Sequence, residues 1–332
     1  MTGMTGRTVL DEGAPPPGEH EAQQVGATAA AITSSVSAVM AGRADSIDLA
    51  VACLLSGGHL LIEDIPGVGK TLLAQALAAS VGGSFHRIQG TPDLLPGDVT
   101  GTMVPDGDGF ELRFRPGPVF SNIVVFDELN RANPRTQSAL LEATEEASVT
   151  VDGVTRELPS PFLLVATQNP LEMAGTYPLG EGALDRFAAV ITPGRASADD
   201  EVEVLTGRRG RTMLAGVEPV VDIGDLVHAR ATVRAVYVAD AIARYVVALL
   251  DATRSHPAVT LGASTRGGVA LIGLAKACAA MAGRHYVVPD DVAAVAESAL
   301  AHRVIVSGGE GSVRAGRKVV AECFERVPAP TA

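Results

Sequence analysis

A chain of 332 residues, 47% apolar and 19% charged, has enough hydrophobic material for about two domains, which excludes disorder as a whole-chain state. Its 26 basic residues against 38 acidic ones leave a net charge of -12, the wrong sign for a protein whose main work is gripping a phosphate backbone. No apolar run approaches the roughly 18 residues that cross a bilayer, and the Gly/Pro-rich start lacks the basic-then-apolar order of a secretory signal, so a soluble, cytoplasmic protein is expected.

Residues 1–20, with Ala14-Pro15-Pro16-Pro17, read as a disordered tail. Alanine-rich stretches at about 22–40 and 46–56 read as helices, the second stopping at Gly57-Gly58. Short apolar strands are expected at His59–Glu63, Ser84–Ile88, Asn122–Asp127, Phe162–Thr167 and Phe187–Ile191, with helices such as Thr71–Ser80 and Pro134–Ala147 between most of them. That alternation implies a parallel sheet covered on both faces. From about 197 the strand signals stop, and five helices are expected: Ala198–Thr206, Ile223–Val236, Asp240–Thr253, Thr265–Ala282 and Asp290–Arg303. The chain therefore divides into an α/β domain over 21–196 and a helical one over 197–332.

Cys53, Cys278 and Cys323 are far apart, with no zinc or redox spacing, and read as small apolar residues. Lysine occurs only at 70, 276 and 318, which makes a lysine-requiring motif informative. One is present. Pro66-Gly67-Val68-Gly69-Lys70-Thr71, continued by Leu72, lies between a strand and a helix, the context of a P-loop. Its backbone N–H groups and helix N-terminus suit phosphates, Lys70 suits the β- and γ-phosphates of ATP, and the Thr71 hydroxyl suits Mg²⁺. Asp64 stands where the full pattern has glycine. Ile123-Val124-Val125-Phe126-Asp127-Glu128 is an apolar strand ending in two acids. Alone such a pair is more often a solvated turn; beside a P-loop, Asp127 is expected to hold Mg²⁺ and Glu128 to polarise the attacking water.

Longer motifs carry a resemblance. Phe126-Asp127-Glu128-Leu129-Asn130-Arg131-Ala132-Asn133-Pro134, Thr91-Pro92-Asp93-Leu94-Leu95-Pro96-Gly97-Asp98, Ala166-Thr167-Gln168-Asn169-Pro170 and Gly175-Thr176-Tyr177-Pro178-Leu179 resemble the MoxR family of AAA+ ATPases, in the helix 2 insert clade, over about 25–305. Gly182 and Gly90 are mild departures. The resemblance implies a P-loop NTPase core with a C-terminal helical lid. It assigns Asn169 as sensor 1, Arg186 as an arginine finger reaching a neighbouring subunit, and Arg266 as sensor 2, touching its own subunit's phosphates. The residues alone would read as a turn before Pro170, an exposed Asp185–Arg186 pair and an ordinary arginine in a first helical turn. Gly90–Pro118 matches the helix 2 insert, and Ser148–Leu158, with its Asp152-Gly153 turn, a hairpin before sensor 1.

The resemblance further implies a ring, expected to be a hexamer, and a chaperone-like task on a partner protein, often one with a von Willebrand factor A domain and sometimes with metal insertion. A nucleic-acid motor and a small-molecule phosphotransferase are the alternatives. The acidic balance weighs against the first, and a finger supplied in trans against the second.

Overall fold

A computed structural model describes residues 17–40, 42–63, 69–106, 111–169, 175–194, 196–307 and 313–330. The first part runs α1 (Glu19–Val39), α2 (Ala44–Ser56), β1 (Leu60–Glu63), α3 (Lys70–Ser80), β2 (Phe85–Gln89), α4 (Pro96–Thr100), β3 (Gly101–Pro105), β4 (Leu112–Pro116), β5 (Ile123–Asp127) and α5 (Pro134–Glu146). It continues with β6 (Ser148–Val151), β7 (Val154–Glu157), β8 (Leu163–Gln168), α6 (Glu181–Leu184) and β9 (Ala189–Ile191). Then come α7 (Ala198–Leu205), α8 (Arg211–Leu214), α9 (Ile223–Ala235), α10 (Asp240–Arg254), β10 (Val259–Leu261), α11 (Thr265–Met281), α12 (Pro289–Leu300), β11 (Ile305–Val306) and α13 (Val313–Arg326).

The central sheet has five parallel strands in the order β2-β5-β8-β1-β9. Side chains alternate across it, as strand geometry requires. Leu60, Ile62, Ile123, Val125, Leu163 and Val165 face a core shared with α1, α2, α3 and the lid helices, whereas Leu61, Val124, Phe126, Leu164 and Ala166 face a second core beneath α5. Each side chain so buried contributes roughly 1.5–3 kcal/mol, which explains why strands of only three to six residues persist.

The sequence expectations need three adjustments. Helix starts at Glu19, inside the expected tail, whose residues up to 16 lie outside the described ones. The last strand begins at Ala189 rather than Phe187, because the Asp185, Phe187 and Ala188 carbonyls bind Arg303 instead of joining a ladder. The helical part also contains a short antiparallel pair, β10 with β11, and two further helices, α8 and α13.

The insert folds as α4 followed by the β3–β4 hairpin, and β6–β7 form the second hairpin. The Arg156 guanidinium of β7 sits 3.9 Å from the ring centre of Phe114 in β4, so the two hairpins touch through a cation–π contact.

Candidate active site

The carboxyl ends of β1, β8 and β5, three adjacent strands, lie level: Glu63 pairs with Gln168, and Phe126 with Ala166. The residues that follow these strands therefore meet at one edge, where open α/β sheets bind ligands. Lys70 opens α3, and its Nζ donates to the Gln168 carbonyl at 3.2 Å. Thr71 Oγ1 donates to Asp127 Oδ2 at 3.0 Å. Thr167 supports both acids: its hydroxyl donates to Asp127 Oδ1 at 3.2 Å and accepts from the Glu128 N–H at 3.0 Å. Asn169 follows Gln168 at the end of β8 and is half-buried. Gly69 and Leu72 flank Lys70 and Thr71; Asp64, Pro66, Gly67 and Val68 lie outside the described residues.

Glu128 takes the left-handed conformation, φ 56° and ψ 51°, at a cost of about 1 kcal/mol that the Thr167 contact helps to offset. Its Oε2 accepts from Gln89 Nε2 at 2.9 Å and pairs with Arg131 Nε at 3.1 Å. Asp127 is likewise paired, with Arg87 Nε at 2.6 Å. The Thr71 hydroxyl and the Asp127 carboxylate are hard oxygen donors in direct contact, a donor set that fits Mg²⁺. At the end of β1, burial raises the Glu63 pKa, opposed by a hydrogen bond from the Gln168 side chain.

A cavity of about 350 Å³ at this edge is bordered by Asp45 and Asp48 of α2, Thr192 after β9, and Ser298 and Arg317 of the lid. Arg317 donates to Thr192 Oγ1 at 3.1 Å and pairs with Glu297 at 3.3 Å.

Arg186 and Arg266 are elsewhere. Helix α5 runs back against the strand direction, so its end reaches the opposite edge of the sheet, where His59, one residue before β1, bonds the Thr144 carbonyl at 2.9 Å. There Arg186 Nε donates to Glu145 Oε2 at 3.0 Å and Arg266 donates to Oε1 of the same carboxylate at 2.6 Å. The length of β1, about 13 Å at the usual strand rise, separates this cluster from Lys70. Here Arg266 is engaged by Glu145, on the edge away from Lys70. The simple Asp185–Arg186 pair is not formed: Asp185 is taken by Arg303 at 2.7 Å and lies 4.0 Å from Arg266.

Comparison with known proteins agrees with this architecture. The family described as "ATPase family associated with various cellular activities (AAA)" matches residues 59–189, and the AAA lid domain matches residues 251–322. The chain is 47% identical over 271 residues to the uncharacterized protein YeaC of Bacillus subtilis (strain 168), covering 82% of this chain and 85% of YeaC. It is 38% identical over 281 residues to "Chaperone MoxR1" of Mycobacterium tuberculosis, covering 82% and 74%. A crystal structure of a candidate ATPase from Cytophaga hutchinsonii matches with a TM-score of 0.85 at 33% identity, over 94% of this chain and 98% of that one. The chain belongs to the MoxR family of AAA+ ATPases.

Within this MoxR-family fold, several polar residues of the site escape motif reading. Arg87 and Gln89 sit on β2, the neighbour of β5, at alternate positions on one face. Only the register Gln89 to Asp127 shows that they reach the two acids. Gly90 is more than a mild departure. Its N–H donates to the Asp127 carbonyl at 2.7 Å, and a Cβ there would lie 2.2 Å from the Glu128 carbonyl oxygen, so no side chain fits. At Gly182, by contrast, a Cβ would meet nothing within 4 Å, and alanine would fit equally well.

Proposed function

We propose that the chain is an ATP hydrolase whose turnover drives a chaperone-like remodelling or activation of a partner protein, and that it works as a ring, expected to be a hexamer. The observation that carries this reading is the division of its polar site residues between two sheet edges: Lys70, Thr71, Asp127 and Glu128 at one, Arg186 and Arg266 at the other. A single subunit cannot bring both sets to one nucleotide. Head-to-tail association can, and repeating such a contact closes a ring.

In this reading the phosphates lie on residues 66–72, with Lys70 against the β- and γ-oxygens, and the nucleoside enters the cavity beside Asp45 and Thr192. Thr71 and Asp127 would hold Mg²⁺, which supplies charge neutralisation across the phosphates. Glu128 accepts a proton from the attacking water, and Asn169 orients that water or the γ-phosphate. Arg186 and Arg266 of the neighbour act together as a forked pair on the charge that develops, a kind of contribution worth about 10³–10⁵ in rate. The insert is tied to this chemistry: Asn133 and Thr136, in the first turn after the acid pair, both donate to the Leu94 carbonyl at 2.7 Å. The name of the MoxR1 relative supports a chaperone task, and a partner with a von Willebrand factor A domain or a metal-insertion step remains a proposal for that client.

The test is turnover against protein concentration, with and without single-stranded DNA. Activity per subunit that rises as the protein assembles, unmoved by DNA, is expected. Full activity as a dilute monomer would remove the ring, and DNA stimulation would favour a nucleic-acid motor. Lys70→Ala should lose ATP binding, whereas Glu128→Gln should bind ATP normally and turn over about 100-fold more slowly.

A further inference from the structure

We propose that Arg303 is a positioning residue for the arginine finger: through the backbone of 185–188 it ties Arg186 to the lid, so that lid movement in one subunit sets the finger offered to the next. This rests on the reading that Arg186 acts in trans.

Arg303 belongs to the lid, in the 3-10 turn after α12, and its side chain is only 2% exposed. A guanidinium has five N–H donors in one plane. Here all five have an acceptor. Nε donates to Asp185 Oδ1 at 2.7 Å. The two donors of one terminal nitrogen go to the carbonyls of Asp185 and Phe187, each at 2.8 Å. Those of the other go to the carbonyls of Ala188, at 3.5 Å, and Ala299. Four of the five acceptors lie in the segment that contains Arg186. His302 adds a bond at 3.0 Å to the Phe187 carbonyl.

The second lid arginine is held by the same device. Ser264, the N-cap of α11, donates to both oxygens of Asp185 at 3.1 Å, and Arg266 lies two residues further on. The first turn of α11 packs directly on the Arg303 stem, since a Cβ on Gly267 would fall 2.8 Å from Arg303 Cδ. Asp185 thus joins a buried guanidinium, a helix cap and the finger segment. Arg186 itself is half-exposed, its side chain held by Glu145 and by the Gly182 carbonyl at 2.7 Å, while the backbone on either side of it is bound to the lid.

An arginine that merely glued two domains together would also be buried and fully bonded, so the test must read finger placement. Arg303→Lys keeps the charge but cannot fork to five acceptors, and Asp185→Asn keeps the shape without the charge. Each is expected to keep its KM for ATP within about twofold while kcat falls about 100-fold, the usual cost of displacing a reacting group by about 1 Å. Mixed with Lys70→Ala subunits, which bring an intact finger, Arg303→Lys should recover turnover. Mixed with Arg186→Ala it should not.

The control is Arg186→Ala mixed with Lys70→Ala. Recovery there without recovery for Arg303→Lys overturns the positioning role alone. No recovery in the control overturns the trans reading, and this proposal with it. If Arg303→Lys does not assemble, Asp185→Asn carries the same two mixtures with the same meaning.

Discussion

Arg87 Nε lies 2.6 Å from Asp127 Oδ2, so the acid proposed to hold magnesium is paired with a cation of the protein itself. Arg87 is 48% exposed, which weakens the pair to about 1 kcal/mol or less. Binding a divalent ion must displace or reorient that guanidinium. Arg87→Met should therefore lower the Mg²⁺ concentration needed for half-maximal ATPase by about fivefold. A magnesium titration of turnover at saturating ATP checks this. A higher requirement in the variant would show that Arg87 orients the carboxylate rather than competing for it.

Gly90 is pressed against the backbone of Glu128, the proposed general base. Gly90→Ala must push the Glu128 carbonyl away by more than 1 Å, and kcat should fall about 100-fold while ATP affinity holds. Steady-state kinetics beside nucleotide binding by fluorescence separate the two effects. A normal kcat would mean that β2 moves as a unit to make room.

The hairpin β6–β7 turns through Asp152 and Gly153, with φ of 51° and 75°, and Val154 beside the turn is 52% exposed. Among the described residues, these form no hydrogen bond or ion pair with Lys70, Thr71, Asp127 or Glu128. Asp152→Asn with Val154→Ser keeps a turn of the same geometry with a neutral, polar tip. Basal ATPase should stay within about twofold, and stimulation by a bound partner should vanish, because a partner can shift the ring only through contacts that differ between its states. Capturing proteins on a Glu128→Gln ring, with and without the hairpin change, provides the partner and the comparison. Equal recovery and equal stimulation would place the docking site elsewhere.

Burial lowers the His59 pKa from 6.5 to about 4. The ring is also committed as a neutral tautomer, since Nδ1 accepts from the Leu164 N–H at 3.1 Å while Nε2 donates to Thr144. The unfolded chain takes up the proton near pH 6.5 and the native one near 4, so stability is full above that window and falls as pH drops through it. The loss from this residue is about 3 kcal/mol by pH 4. His302, also buried and held well below its ordinary value, steepens the fall. Urea unfolding between pH 7 and pH 5 should show the decline, and His59→Gln should flatten it. An unchanged slope in that variant would assign the acid sensitivity to other groups.

What could be read from the sequence follows from how each feature is encoded. The five sheet strands and the acid pair were legible because short apolar runs bounded by glycine, proline and acids have few other uses. Lys70 and Thr71 were legible because strand, loop and helix occur in an order that gives a lysine its chemistry. Arg303 was not legible as anything but the end of a helix, although a charged residue in Leu300-Ala301-His302-Arg303-Val304-Ile305 is the kind of misfit that signals a buried, fully bonded group. Glu145 gave no signal at all, being one of several glutamates on α5, singled out only when tertiary structure brings Arg186 and Arg266 to it. The edge on which those arginines lie is a property of chain direction through the sheet, which no local motif records.

Placing the nucleotide groups and the arginine pair at opposite edges makes end effects countable. Suppose an assembly forms an open arc instead of closing. One terminal subunit then holds a nucleotide that no neighbour serves, and the other terminal subunit carries an arginine pair with nothing to act on. Activity per subunit in an arc of n subunits would follow (n − 1)/n of the closed value, and a two-fold symmetric pair, whose contact surfaces are identical, would complete no site. In the proposed ring, the polarity that forbids a self-sufficient dimer would also give every closed assembly a sense of direction, because each subunit would act on the neighbour on one side and be acted on from the other.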